Sequence, residues 1–366
     1  MDRPPHSAME RPVCVLSVGR SGSSLAARAM NLLGVHLGAE DELMTATEQN
    51  ERGFWENTTI YRLNEELLEL LGGSWYRPPE LTSEWACDER LQELRGRAAG
   101  IVLELELPGR RWGFKDPRTI VLLPFWRQVI GEMDYLICVR RAHPFVHSVE
   151  AIAPPGGEPH ATASLWLDMN AAALGQTVGA RRMFVFYEDW FEDPRRVAGQ
   201  VAAFLHGRAS AVEPEALDAV VAFVDPMLRR ADARGESTEL AEVPELEAMY
   251  AHLRMTAERG RDHRQARGRE ALVAQALADG YRLRQRLQED LQQAEESAAA
   301  SRAETETARA QAGALEQANR ELEAELTRQR HRLDAIESSR SWRMTGPLRV
   351  ARRRVEGSRQ DFVNRG

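Results

Sequence analysis

Apolar residues recur along this chain with two different periods, and the change between them marks out its elements. Residues 13–18, 133–140 and 183–187 are apolar at nearly every position and rich in β-branched or aromatic side chains. Runs of that kind predict buried strands. Residues 111–118 predict a further short strand that ends in the charged turn Lys115-Asp116-Pro117-Arg118. Elsewhere the apolar spacing lengthens to three and four residues, which predicts helices at 25–33, 60–71, 88–104, 161–174 and 214–224. Ile60, Leu63, Leu67, Leu68 and Leu71 line one such helix, which Gly72-Gly73 ends. Asp193-Pro194 opens another with an N-cap residue and a proline at the first position. Strands alternating with helices predict an α/β fold, a P-loop-like doubly wound parallel sheet.

The pattern changes again beyond about Asp225. Aromatic residues almost vanish, and Glu, Gln, Arg and Ala dominate residues 283–336. Stepping by alternate fours and threes from Leu287 through Leu291, Leu315, Asn319, Leu322, Leu326 and Leu333 to Ile336 traces a heptad seam. Its Ala/Ser/Thr middle is weak. The seam predicts a long C-terminal α-helical coiled coil and a homodimer through residues 287–336, with Asn319 at an a position that favours a parallel pair in register. A lone solvated helix is the alternative. The expected organisation is therefore a disordered N-terminus at 1–11, the α/β domain at 12–226, a helical connector at 227–281, the coiled coil at 282–338 and a basic tail at 339–366.

Length and composition narrow this picture further. At 366 residues the chain accommodates one α/β domain with an extension. Cys14, Cys87 and Cys138 have no metal-ligand spacing, and two of them fall in predicted strands as small hydrophobes. The first eleven residues are polar and contain prolines, without a secretory signal pattern. No apolar run reaches the roughly 18 residues that a membrane span needs. These features predict a cytoplasmic protein. The net charge is −8, yet residues 340–366 carry eight arginines against Glu356 and Asp361. An acidic main part speaks against nucleic acid as partner, while the basic tail with Trp342 suits peripheral contact with the inner face of a membrane, or simply a solvated tail.

Candidate chemistry concentrates after the first strand, in Gly19-Arg20-Ser21-Gly22-Ser23-Ser24. A strand, a small-residue turn and a helix aim backbone N–H groups and a helix N-terminus at one spot, which attracts an anion such as phosphate. Gly19 and Gly22 permit the tight turn, the serines offer hydroxyls, and Arg20 adds a planar cationic fork. The loop is neither the triphosphatase pattern G-x-x-x-x-G-K-[ST] nor the dinucleotide pattern G-x-G-x-x-G. Arg140 and Arg141 follow the 133–140 strand, and Lys115 follows the strand before it. In open parallel sheets ligands bind at the carboxyl ends of strands, so these groups are expected to share one crevice.

The loop Gly19-Arg20-Ser21-Gly22-Ser23-Ser24-Leu25 resembles the 5′-phosphosulfate loop of sulfotransferases that use 3′-phosphoadenylyl sulfate (PAPS), closest to their bacterial and carbohydrate type. Arg140 and Ser148 resemble that family's 3′-phosphate site, although Ala142 stands where a proline is usual and Pro144 follows, which leaves Arg141 as an alternative to Arg140. Residues 50–57, Gly113 to Arg118 and Tyr187-Glu188-Asp189 are also similar to bacterial members, and the likeness spans residues 13–225. It implies that Gly19, Arg20, Ser21, Gly22, Ser23 and Ser24 hold the 5′-phosphosulfate of PAPS without a metal, and that Arg140 and Ser148 hold its 3′-phosphate.

Transfer to a hydroxyl needs a general base. Glu56 is the first choice, with Glu48, Asp41 and His36 as rivals. Lys115 is expected to neutralise the moving group or to bind an acidic acceptor, or else to form a salt bridge to Asp116 or a neighbour; Arg20 assists at the loop. Trp166 and Tyr187 read as core rather than as sugar platform, and the role of Asn170 stays open. The implied activity is O-sulfotransfer from PAPS to a saccharide or glycolipid hydroxyl, with acceptor contacts in loops 36–57, 75–110 and 150–160. A P-loop kinase with a degenerate loop, and a non-catalytic coiled-coil scaffold in surface-polysaccharide assembly, are the alternatives. The missing loop lysine stands against the kinase.

Overall fold

Four strands, β1 (Val13–Ser17), β2 (Gly113–Lys115), β3 (Asp134–Val139) and β4 (Arg182–Phe186), pair in parallel in the order β2-β1-β3-β4. The computed structural model describes residues 11–47, 50, 52–81, 84–152, 159–225, 243–258, 264–339 and 344. Alternation along β1 explains its unbroken apolar run. Cys14 and Leu16 join the core on one face of the sheet, Val13 and Val15 the core on the other.

Helices fill both faces. Helices α1 (Ser23–Leu32), α8 (Pro194–His206) and α9 (Pro214–Phe223) cover the Val13 face. The Cys14 face is covered by α2 (Thr58–Leu70), α3 (Gln92–Leu105), α4 (Thr119–Ile130), α5 (Ala142–Glu150) and α6 (Pro159–Gln176). A short helix, α7 (Asp189–Glu192), follows β4. Asn57 caps α2 by accepting from the Thr59 and Ile60 N–H groups, and Asp193 caps α8 through Arg196 N–H. This is the doubly wound parallel arrangement expected from the alternation of periods. Because β2 lies to one side of β1 and β3 to the other, the chain reverses its winding between the carboxyl ends of β1 and β3. That crevice is the sheet's topological switch point.

The segment expected as a connector is built into this unit. Leu246, Met249, Tyr250 and Leu253 of α10 (Pro244–Glu258), with Ala274, Ala278 and Tyr281 of α11 (Arg264–Ser338), are buried in the same core as α2 to α6. The compact unit runs to Gln285 and does not stop near 226. Large apolar side chains of α10 carry most of that packing, while α11 contributes Ala274 and Ala278 beside Tyr281, and those alanines leave little mark in a segment already rich in alanine.

The second unit begins at Arg286, and its described part is the rest of α11 with Ser339 and Met344. Leu287, Leu291, Leu315, Leu322, Leu326, Leu333 and Ile336 are all exposed along it. Among the described residues no helix is long and apolar enough to cross a membrane. The expected disordered N-terminus lies outside the described residues except Arg11, and the basic tail except Ser339 and Met344.

Candidate functional site

The turn after β1 enters α1 through Gly22, whose φ of 82° is left-handed. A Cβ at Gly22 would lie 2.5 Å from Cδ2 of Tyr187, so both conformation and space demand glycine. Gly19 serves otherwise: the indole of Trp75 lies against it, 3.3 Å from where a Cβ would stand. Arg20 also has a positive φ, 70°, and Trp55 has 59°. Among the described residues these are the two non-glycine residues in that region; Arg20 lies inside the loop and Trp55 is adjacent to Glu56. Strain of this kind persists where surrounding structure enforces it. Ser24 Oγ accepts from Asn50 Nδ2 at 3.2 Å, which ties the loop to the segment carrying Glu56. Ser21 is buried, and its Oγ has no hydrogen-bond partner among the described residues.

Arg20 and Arg140 meet across the switch point. The Arg140 guanidinium donates to the Arg20 carbonyl at 3.1 Å and lies 4.4 Å from the Tyr187 ring centre. Arg20 in turn donates from Nε to Ser148 Oγ at 3.0 Å. Arg20, Arg140 and Ser148 thus form one linked cluster. Burial, and then the neighbouring Arg140 charge, pull the Arg20 pKa below its ordinary value. An anion placed between the two would relieve both effects. Arg141 turns away, exposed, toward Glu247 at 3.5 Å, so Arg140 is the arginine that faces the loop. Trp166 is buried, and its Nε1 donates to the Arg140 carbonyl at 3.0 Å. Asn170 donates to the Trp166 carbonyl. Neither is a platform facing the cavity.

Opposite the loop, Lys115 Nζ and Glu56 Oε1 are 2.5 Å apart, with side chains 2% and 5% exposed. Asp116, buried behind them, pairs with Arg118 at 3.0 Å. Burial pushes the Asp116 carboxyl up to about 6, Arg118 pulls it down, and Glu56 adds to the rise. Arg118 also pairs with Glu65, approaches Glu56 at 4.0 Å and stacks over Tyr61. Burial lowers its pKa, but Asp116 and Glu65 outweigh that and hold it above the ordinary value.

A cavity of about 290 Å³ lies between these groups. Gly19, Arg20, Gly22, Ser23 and Ser24 line one side, and Glu56, Lys115 and Arg118 another. Met44, Asn50, Phe54, Tyr61, Trp75, Pro117 and Ile152 complete it. Ser21, Arg140 and Ser148 do not line it; the last two reach it through Arg20. Each of the three loops expected to meet the acceptor supplies a wall, but Tyr61, Trp75 and Ile152 were not singled out by sequence. The rival bases fare differently. His36 sits beside the amino end of β2, its carbonyl accepting from Gly113 N–H, away from the carboxyl-end crevice. Asp41 is exposed in a 3₁₀ turn and lines no part of the cavity. Glu48 lies outside the described residues. No cluster of three His, Cys, Asp or Glu side chains suited to a metal occurs among the described residues.

No protein-family profile and no curated protein matches the chain. Among solved structures it is similar to the sulfotransferase domain of the Synechococcus PCC 7002 olefin synthase. That match has 22% identity and a TM-score of 0.41, and covers 69% of this chain and 98% of that one. Sulfotransferase STF9 from Mycobacterium avium matches at 12% identity, with a TM-score of 0.39 and coverage of 68% and 77%. Retinol dehydratase, solved with androsterone and the inactive cofactor PAP, matches at 12% identity, with a TM-score of 0.30 and coverage of 58% and 64%.

Proposed function

We propose that this chain is an O-sulfotransferase that moves a sulfuryl group from PAPS to a hydroxyl acceptor. The observation that carries the reading is the linked cluster at the switch point, where Arg140 holds the Arg20 carbonyl and Arg20 holds Ser148. A buried guanidinium, Arg140, and a half-buried one, Arg20, beside a glycine-serine turn suit a ligand with phosphate at two places. The residues fit such a ligand on other counts. Gly22 lets the loop turn left-handed against the Tyr187 ring, where a side chain would clash, and the buried Ser21 hydroxyl has a hydrogen bond to give.

When bound, PAPS supplies the sulfuryl group and leaves as 3′-phosphoadenosine 5′-phosphate (PAP). The loop N–H groups of residues 19–24, with Ser23 and Ser24, would hold the 5′-phosphosulfate. Arg140 and Ser148 would hold the 3′-phosphate, with Arg20 between the two groups. Glu56 takes the acceptor proton as the new oxygen–sulfur bond forms and the sulfur–phosphate oxygen bond breaks, the electron pair staying on the phosphate. Lys115, fixed beside Glu56, stabilises the charge that develops on the sulfuryl and bridging oxygens. Phe54, Tyr61 and Trp75 border the cavity beside Glu56. Flat aromatic walls next to a carboxylate suit a saccharide, whose rings offer apolar C–H faces and polar edges. The exposed leucines of α11 support a second part of the reading, a parallel homodimer through residues 287–336.

Transfer of ³⁵S from labelled PAPS to a panel of saccharides and simple alcohols tests the activity, with thermal shift by PAP and ATP beside it. The expected result is transfer, and stabilisation by PAP over ATP. Stabilisation by ATP alone, without transfer to any hydroxyl, would overturn the proposal.

A further inference from the structure

The peptide unit joining Arg140 to Arg141 is held at both of its polar atoms by buried side chains. Its carbonyl accepts from Trp166 Nε1 at 3.0 Å, and its N–H donates to Glu188 Oε1 at 2.9 Å. The second oxygen of that carboxylate, Oε2, accepts from the Tyr250 hydroxyl at 2.9 Å. Tyr250 belongs to α10, beyond the last strand. Its own oxygen accepts from Arg254 Nη2 at 2.9 Å, and Arg254 is fixed to both carboxylate oxygens of Asp189 at 2.7 and 2.9 Å. Glu188, Trp166 and Tyr250 are all buried.

We infer that Glu188 and Tyr250 are positioning residues for the anion site, orienting Arg140 through the backbone that carries it. The inference rests on the reading of Arg140 as the 3′-phosphate group. The plane of a peptide is rigid, so fixing its O and N–H fixes the direction in which the chain leaves β3 and in which Arg140 projects. From there the guanidinium reaches the Arg20 carbonyl and the Tyr187 face. A carboxylate held on one oxygen only would be free to rotate; the Tyr250 hydroxyl removes that freedom. Burial and then the Glu188 charge hold the Tyr250 pKa above the ordinary phenol value, which keeps the hydroxyl a donor. The simpler role for the same contacts is capping of α5, since Arg141 is its N-cap residue. That role would stabilise the fold without distinguishing one nucleotide from another.

Calorimetric titration of the full chain with PAP and with adenosine 5′-monophosphate separates the two roles, because only PAP carries the 3′-phosphate. Tyr250→Phe keeps the ring and removes the hydroxyl. It should weaken PAP about tenfold, the size of one charge-assisted hydrogen bond, while the monophosphate changes less than twofold. In turnover the KM for PAPS should rise and kcat should hold. Glu188→Gln, which keeps an acceptor for the Arg141 N–H, should retain more PAP affinity than Glu188→Ala, with folding of each variant checked by circular dichroism. Equal losses for the two nucleotides, or an unchanged ratio in Tyr250→Phe, overturn this inference alone. A wild type that does not prefer PAP overturns it together with the reading of Arg140.

Discussion

The Lys115 ammonium and the Glu56 carboxylate touch at 2.5 Å inside the protein, one from the end of β2 and the other from the segment leading into α2. Removing either member of a buried pair leaves the other charge uncompensated. The pair therefore ties the segment carrying Glu56 to the sheet and presents a carboxylate and an ammonium to one cavity, which under the proposed function would be the base and its neighbouring cation.

Glu56→Gln should keep the hydrogen bond to Lys115 and the shape of the cavity while losing the proton acceptor. PAP affinity should stay within about twofold of wild type, and kcat should fall by about a hundredfold or more. Titration calorimetry and a labelled-sulfate assay on the same preparation check both halves. Full activity in Glu56→Gln would remove it as the base.

The two arginines of the switch point should be separable by ligand. Arg140→Ala should weaken PAP by about tenfold to a hundredfold, the range for a lost charged hydrogen-bond donor, and weaken adenosine 5′-monophosphate little. Arg20→Ala should weaken both, because Arg20 lines the cavity and also meets Ser148. Equal behaviour of the two variants would show that the two phosphate subsites are not divided as proposed.

Much of this arrangement was legible in the chain because the relevant residues stand at strand ends, where apolar runs break into glycine, serine and charge. The loop at 19–24, Arg140 and Lys115 carry that local signal, whereas Glu56 stands before α2, after Phe54 and Trp55. Pairing was less legible. Lys115 and Asp116 are adjacent in sequence, yet successive side chains at a strand end point to opposite sides. Lys115 thus reaches Glu56, while Asp116 is left to Arg118. Of the cavity walls, Trp75 and Ile152 lie in the expected loops 75–110 and 150–160, but Tyr61 comes from helix α2, and which side chains meet there is settled only in the folded chain. The docking of the start of α11 left little trace because Ala274 and Ala278, though fully packed, look like the solvated alanines further on.

Asp116 makes stability depend on pH in an unusual direction. Its carboxyl is pushed up to about 6, so between its ordinary value of 3.8 and that point the folded state binds more protons than the unfolded one. Stability from this group is then greatest at low pH and falls as pH rises through that window. Thermal unfolding of wild type and Asp116→Asn between pH 4 and 7 checks it. Relative to the variant, wild type should gain stability as pH is lowered, and a flat difference would place the group at its ordinary value.

Gly22 and Gly34 offer a matched test of the loop. Both have positive φ, 82° and 93°, but a Cβ at Gly22 meets the Tyr187 ring at 2.5 Å and one at Gly34 meets nothing within 4 Å. Gly34→Ala should cost only the left-handed backbone term, about 1–2 kcal/mol. Gly22→Ala should cost more and should also abolish PAP binding, as read by chemical denaturation and calorimetry. Equal costs would mean that Tyr187 yields and that the loop is not tightly specified.

The last prediction concerns the exposed seam of α11. With Leu291 at a, the g and e residues that would face each other in a parallel pair include Glu304 with Arg309 and Glu325 with Arg330, opposite in sign, and Asp290 with Glu295, alike. In that pair Leu315, Leu322, Leu326 and Leu333 would supply the apolar seam near the C-terminal end, and Asn319 would set the register. The full chain should sediment as a dimer, and Leu322→Asp should make it a monomer. Leu326→Cys should cross-link efficiently under mild oxidation, because a parallel in-register pair brings the two copies of residue 326 face to face. An antiparallel pair would separate them, so a dimer that resists this cross-link would reverse the orientation. A chain that sediments as a monomer would show that the weak alanine-rich middle prevails over the leucines at either end.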